Sequence, residues 1–438
     1  MEIKKIEDPS WPEGNIIKIR DYKGPHLVLN PDETKLREFI EPWLTALFQS
    51  EHLSLFTGSG ISIAIHFLAK NSPGAGMGMM EFSVFKEQIE KKSKESAEKS
   101  GRGKPNIEDQ IKTVNELITG LEIYISTNVY GAKKLQKKIK KLKEELNAGI
   151  SKFANAILAS EKNIISSERD EPAEYLMNFL LSFASRSATR ERLNLFTTNY
   201  DRVLEFGCEL AGLHLIDRFV GTISPIFRSS RMNIDLHYNP PGIRGEPRYL
   251  EGVVNFTKLH GSIDWCEKDR IVRRFALPYG AIDIRKYNSE GRSLIIYPNS
   301  SKDRETAEYP YVELFRDFAN AIVRPNSTVV VYGYSFGDEH INRVLEDMLT
   351  IPSTHLVIIA KSDEGNRIEK FYKKTKRPVQ ITLLIGEHFG DIKTLVDHYL
   401  PKPAIDRTTY RMADILKARG IIQAEKQEST NNQENSNE

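Results

Sequence analysis

Only two of the 438 residues are cysteines, Cys208 and Cys266, far apart and with no histidines at ligand spacing. That excludes a disulfide framework and a four-cysteine zinc ribbon. An excess of one charge is also missing. The 62 basic and 60 acidic side chains leave a net charge of +2, so no global field favours a membrane surface or nucleic acid. Nucleic acid is then expected only through a local patch or indirectly. No segment approaches the ~20 consecutive apolar residues of a membrane span. The start, MEIKKIEDPSWPEG, carries two early prolines and acidic residues where a secretory leader has its apolar core. Together these absences predict a reducing cytoplasm. With 39% hydrophobic and 28% charged residues, the composition is that of a globular protein. Its length fits two or three structural units, or one large domain carrying an insertion.

What is present is a series of short apolar, β-branched runs. They are LSLF (53–56), LNLFTT (193–198), VVNFTKL (253–259), SLIIY (293–297), STVVVYG (327–333), HLVIIA (355–360) and ITLLI (381–385). The runs are continuous rather than alternating and mostly separated by helix-like segments. That pattern predicts an α/β fold with a doubly wound, mostly parallel, Rossmann-like sheet. Ligands in such sheets sit beyond the carboxyl ends of the strands, so the residues just after each run matter most.

The stretch 81–190 reads differently, as a large helical insertion between the first two strands. Leu135, Ile139, Leu142, Leu146, Ile150, Phe153 and Ile157 mark one stripe of a long helix. Ile111, Val114, Leu117, Ile118 and Leu121 mark a helix before it, with a turn pivoting on Gly131 between them. Glu171 and Pro172 open a third helix, proline being tolerated in a first turn. Lysines 133, 134, 137, 138, 140, 141 and 143 crowd one end of the insertion. Without interleaved aromatics they read as a solvated face rather than a phosphate-docking surface. The sheet domain then comprises 1–80 and 191–404, leaving 405–438 for a C-terminal helix (410–422) and a disordered tail.

Four strand ends carry small or polar residues. In LFTGSGIS (55–62), Gly58 and Gly60 bracket Ser59, and Ile61 begins a helical pattern. Glycine there permits a tight turn and close approach of backbone N–H groups to an anion, to which a helix N-terminus adds its dipole. The same letters also describe an ordinary strand-to-helix turn. In LFTTNYDRVLE (195–205), Asn199 and Asp201 precede a helix; capping accounts for one of them, not for both together with Thr197 and Thr198. In TKLHGSIDW (257–265) a strand-like run ends on His260 and Gly261, so the imidazole either fills a core gap or faces a cleft. VVVYGYSFGDEHIN (329–342) places Gly333, Ser335 and Gly337 before another helix. A parallel sheet would gather all four at one crevice.

GSGIS, TTNYD, KLHGSIDW and GYSFGDEHIN occur in the order found in sirtuin-like NAD-binding domains, and the chain resembles in particular their bacterial anti-phage branch. The resemblance spans roughly 45–400 without the insertion. It implies that Gly58, Ser59, Gly60, Ile61 and Ser62 form the loop cradling the NAD pyrophosphate. It implies that Asn199 and Asp201 face the nicotinamide ribose, with Thr198 among the NAD-binding residues and His260 as the catalytic histidine against the ribose hydroxyls. Gly333, Tyr334 and Ser335 would run along the phosphates and adenine ribose, and Lys361 would lie near the adenine.

Two departures narrow the reaction. Protein-deacylating sirtuins carry a four-cysteine zinc module that two cysteines cannot build, so neither zinc nor any other metal is expected. They also follow the glycine loop with a Pro-Asp-Phe-Arg segment holding the nicotinamide, whereas no Asp or Arg occurs here from Ile63 to Met80. The Gly74–Gly78 run is either a lid or a linker. Transfer of ADP-ribose to water is therefore expected, with NAD⁺ as substrate: an NAD⁺ glycohydrolase acting as a regulated, NAD-depleting effector of antiviral defence by abortive infection. The resemblance further implies a homo-oligomer and a HerA-type ATPase partner, or else a short Argonaute-type one. A non-hydrolytic NAD- or ADP-ribose-binding assembly module remains the alternative. Nucleic-acid cleavage ranks last, for want of a metal-binding carboxylate cluster.

Overall fold

The central strands of the main sheet send alternate side chains to two different apolar clusters. In the computed structural model, which describes residues 1–402 other than 7–10, 20–22, 77, 100–102, 128–130, 187–189, 240–247, 288–292 and 297–308, that sheet has ten strands. In chain order they are β1 (Glu2–Lys5), β2 (Asn15–Lys18), β3 (His26–Leu29), β4 (His52–Thr57), β5 (Leu193–Thr197), β6 (His214–Ile216), β7 (Val253–Lys258), β8 (Ser327–Tyr332), β9 (His355–Ala360) and β10 (Ile381–Ile385). The spatial order is β1-β3-β2-β10-β9-β8-β4-β5-β7-β6, parallel from β10 to β6 and antiparallel among β1, β2, β3 and β10.

The alternation explains the continuous apolar runs. On one face Leu53, Leu55, Val330, Tyr332, Val357 and Ile359 pack beneath α1 (Glu33–Phe48) and α2 (Ser59–Lys70). On the other, Phe56, Val329, Val331, Leu356 and Ile358 meet helices from the second half of the chain. A strand covered on both sides has no solvent face to keep polar.

The expected helices are α4 (Ile107–Ser126), α5 (Ala132–Ile165) and α6 (Glu171–Ala184), preceded by α3 (Lys86–Lys99). Their apolar stripes divide between two cores. Ile111, Val114, Leu142, Phe153 and Ile157 form a third cluster with Tyr200, Ile263 and Cys266, while Leu176, Phe179 and Phe183 of α6 join the cluster under the sheet. After β5 comes α7 (Val203–Leu210); α8 (Tyr311–Ile322), α9 (Glu339–Met348) and α10 (Arg367–Thr375) cover the far face.

One run sits elsewhere than expected. Ser293–Ile296 pairs antiparallel with Gly261–Lys268 in a separate five-stranded sheet, not in the doubly wound one. The chain leaves β7, turns through Leu259 and His260, and enters that second sheet at Gly261, whose φ of +85° suits glycine. The C-terminal helix, the tail, Met77, Tyr297 and part of the turn before Gly131 lie outside the described residues. Cys208 and Cys266 are both buried and unbridged. No helix among the described residues is long and apolar enough to cross a membrane.

Candidate active site

β4 and β8 are neighbours whose following helices lie on opposite faces, which makes their carboxyl ends a switch point of the sheet. Their loops touch at glycines. Gly58 N–H donates to the Tyr332 carbonyl at 3.0 Å and Gly60 N–H to the Gly333 carbonyl at 2.9 Å. A Cβ on Gly58 would stand 2.5 Å from the Gly333 oxygen, and one on Gly60 2.5 Å from the Gly333 Cα. Gly333 itself has φ +63°. Small residues are therefore demanded by loop-on-loop contact, and the amides of Gly58 and Gly60 are spent on it. What faces the adjoining cavity is the start of α2: Gly58, Ser59 and Ser62 line it, at the positive end of the helix dipole.

Asn199 follows β5 and is almost fully buried. Its side-chain amide donates to the Gly58 carbonyl and to Ser62 Oγ, both at 3.0 Å. Ser62 Oγ in turn donates to Asp201 Oδ2 at 2.8 Å, and Asp201 Oδ1 caps α7 by accepting from Val203 N–H at 3.1 Å. Thus Asp201 is a cap and also a partner of the first loop. Beneath it the fully buried Lys258 donates to the Asp201 carbonyl and sits 3.0 Å from Glu205 Oε1. Burial pushes the Glu205 carboxyl above its ordinary value, and Lys258 opposes that push.

His260 occupies the turn after β7, held there because Leu259 N–H donates to the Thr197 carbonyl at 2.8 Å. It lies 9% exposed and lines the same cavity as Asn199 and Ser59. Its Nε2 is 3.4 Å from Nε2 of His340 on α9, with the two rings 5.6 Å apart and 30° from parallel.

Of the other sequence-predicted residues, Thr198, Tyr334 and Ser335 line the cavity. The Tyr334 ring packs on Phe56 and Phe336, and its hydroxyl accepts from Asp338 N–H, so that side chain serves the core. Ile61 is fully buried in the cluster under the sheet. Lys361 is exposed and paired with Glu387 at 2.9 Å; neither lines the cavity.

The remaining wall comes from the helical region, which no local pattern marks as part of a site. The cavity, about 270 Å³, is bounded there by Asn106 and Glu108 at the start of α4 and by Phe153, Ile157, Ser160 and Glu161 of α5. The stretch Asn106-Ile107-Glu108-Asp109 is a reciprocal capping box. Asn106 Oδ1 accepts from Glu108 and Asp109 N–H, and Asp109 Oδ2 accepts from Asn106 N–H. That cap was legible as a helix start, but nothing local says it faces a strand end. Tyr200 ties it in: its hydroxyl donates to Glu108 Oε1 at 3.4 Å, and its ring meets Phe153 edge-on.

Glu161 makes the second tie. Its carboxylate, fully buried, accepts from Arg202 Nε (3.2 Å), Arg202 Nη2 (2.6 Å), Arg202 N–H (2.9 Å) and Gly280 N–H (3.2 Å). Burial pushes this carboxyl up; the Arg202 fork pulls it back. The Gly-rich segment is the roof. His66 Nδ1–H donates to the Ser72 carbonyl at 2.7 Å, His66 Nε2 accepts from Asn163 at 3.1 Å, and Ala75 N–H donates to Ser160 Oγ at 2.8 Å. Residues 72–76 therefore strap α2 to α5.

Residues 193–378 match the family described as SIR2-like domain. The match takes in β5, β7 and β8 with Asn199, Asp201, His260 and Ser335, and leaves out β4, the Gly58–Ser62 loop and helices α3–α6. It supports a sirtuin-like protein with NAD-related activity and NAD binding. No curated protein matches the chain. No cluster of metal-ligating side chains occurs among the described residues.

Proposed function

We propose that the protein is an NAD⁺ hydrolase that cleaves the bond between nicotinamide and ribose. One observation carries the reading: His260, Asn199 and Gly58, Ser59 and Ser62 of the first loop, drawn from three strand ends, line a single cavity. The SIR2-like match over two of those three segments supports NAD⁺ as its substrate.

In this reading the C1′–N bond breaks with its electron pair leaving on nicotinamide, which departs neutral. Positive charge builds on the ribose as an oxocarbenium-like transition state, and fixed polar groups stabilise it without reorganising. Asn199, already oriented by Gly58 and Ser62, holds the ribose or the incoming water. The water oxygen bonds to C1′ and its proton passes to His260, whose imidazole type is suited to accept one near neutrality. The products are nicotinamide and ADP-ribose.

An enzyme that consumes NAD⁺ unchecked starves its own cell. We infer a restrained, oligomeric effector of anti-phage defence acting by NAD⁺ depletion and released by a partner, in first place a HerA-type ATPase. The resemblance supports that role, and helices α3–α5 offer surface for it. Chromatographic measurement of nicotinamide from NAD⁺, for the protein alone and with the ATPase, tests both parts. Release that appears or rises with the ATPase supports them. NAD⁺ binding without any release, in either condition, favours the assembly-module reading instead.

A further inference from the structure

No lysine or arginine is found among the described residues lining the cavity, whereas four acidic residues are: Glu108, Glu161, Asp201 and Asp338. The amides of Gly58 and Gly60, donors that an anion would use, are taken up by the contact with β8 and its loop. A dinucleotide nevertheless brings phosphate charge to such a site, and a charge taken out of water needs a partner. The cation should then stand just behind the lining residues.

Arg367, the first residue of α10, stands there. Its Nη1 donates to the Ser335 carbonyl at 3.2 Å, and both Ser335 and Gly337 line the cavity. A Cβ added to Gly337 would stand 3.0 Å from that Nη1 and 3.4 Å from Ser335 Oγ. The missing side chain thus leaves a notch flanked by a guanidinium N–H and a hydroxyl, both able to donate to an anion. The protein itself satisfies the guanidinium poorly. The Arg367 side chain is only 16% exposed, yet its Nε is buried with no hydrogen-bond partner among the described residues. Its carboxylate neighbour, Glu364, lies 4.0 Å away and is 70% exposed, a pairing that contributes little.

We propose that Arg367, Ser335 and Gly337 form a cradle for a phosphate group of the bound dinucleotide, with Arg367 supplying its charge. This rests on the NAD⁺ reading of the cavity and deepens it. Two sources supply such a group: the diphosphate that every such dinucleotide carries, and the 2′-phosphate that NADP⁺ adds to the adenosine ribose. The recognition chemistry is the same for both, a planar N–H fork and a hydroxyl on phosphate oxygens.

The test measures dissociation constants of ADP-ribose, 2′-phospho-ADP-ribose and adenosine for wild type, Arg367→Gln and Gly337→Ala. Removing the guanidinium should weaken the phosphate ligand by about 10- to 100-fold. Equal weakening of both phosphorylated ligands assigns the cradle to the diphosphate; weakening of 2′-phospho-ADP-ribose alone assigns it to the 2′-phosphate. Adenosine, which carries no phosphate, should bind all three proteins alike. Gly337→Ala, which fills the notch, should weaken the same ligand as Arg367→Gln, and it carries the test alone if Arg367→Gln does not fold. Unchanged affinity for both phosphorylated ligands overturns the inference while leaving NAD⁺ cleavage intact. A parallel loss of adenosine binding overturns it as well, because Arg367 would then only support the loop. A wild type that binds none of these ligands and releases no nicotinamide from NAD⁺ overturns the functional reading itself.

Discussion

The side-chain amide of Asn199 donates to the carbonyl of Gly58 at 3.0 Å, which joins the end of the second parallel strand to the start of the first interior helix. The same amide reaches Ser62, so one side chain fixes the geometry of both loops. Asn199→Asp keeps the shape but presents an acceptor to an acceptor. Leaving buried polar groups unpaired there should cost about 1–3 kcal/mol in denaturant unfolding, and nicotinamide release should fall to background. Unchanged stability would mean the amide does not bridge these loops.

The glycine contact between β4 and β8 leaves no room for a methyl group. Gly58→Ala drives its Cβ to 2.5 Å from a backbone oxygen that cannot rotate away. We expect a loss of about 1–3 kcal/mol from overpacking, with weaker NAD⁺ binding by calorimetry. Gly76→Ala, where an added Cβ meets nothing within 4 Å, is the matched control and should leave stability unchanged.

Breaking the Glu161–Arg202 pair should be among the most damaging single changes. Truncating one partner strands the other's charge in the interior, so Glu161→Ala is expected to cost about 3–5 kcal/mol. Because the Arg202 N–H also binds Glu161, the Asn199–Asp201 segment should loosen too, visible as faster amide exchange there. Full protection in the variant would contradict the coupling.

Stability should depend on acidity through His355. Burial, with Lys18 adding to it, pulls its imidazole down from 6.5 to about 4. The unfolded chain therefore takes up a proton before the folded one does. The stabilisation is complete above pH 6.5 and is lost as pH falls toward 4, by at most about 3 kcal/mol. Thermal melts of His355→Gln between pH 4 and 7 should show a shallower slope than wild type; an equal slope would assign the effect to other groups.

Much of this architecture was legible because strands buried on two faces leave an unmistakable trace. LSLF, STVVVYG and HLVIIA needed no alternation, since both of their faces meet helices. Short antiparallel strands such as Glu2–Lys5 and Asn15–Lys18 gave too few residues for a pattern. SLIIY was misplaced because an apolar run announces burial without saying in which sheet. At the cavity, residues at strand ends could be nominated from topology alone. Glu108 could not, because it lies 92 residues before its partner Tyr200 and only the packing of α4 and α5 joins them.

The most direct measurement is nicotinamide release from NAD⁺ by wild type and His260→Ala, each with NAD⁺ binding determined in parallel. We predict that the variant binds NAD⁺ yet releases no nicotinamide above background. Equal release by both proteins would contradict the account at its centre.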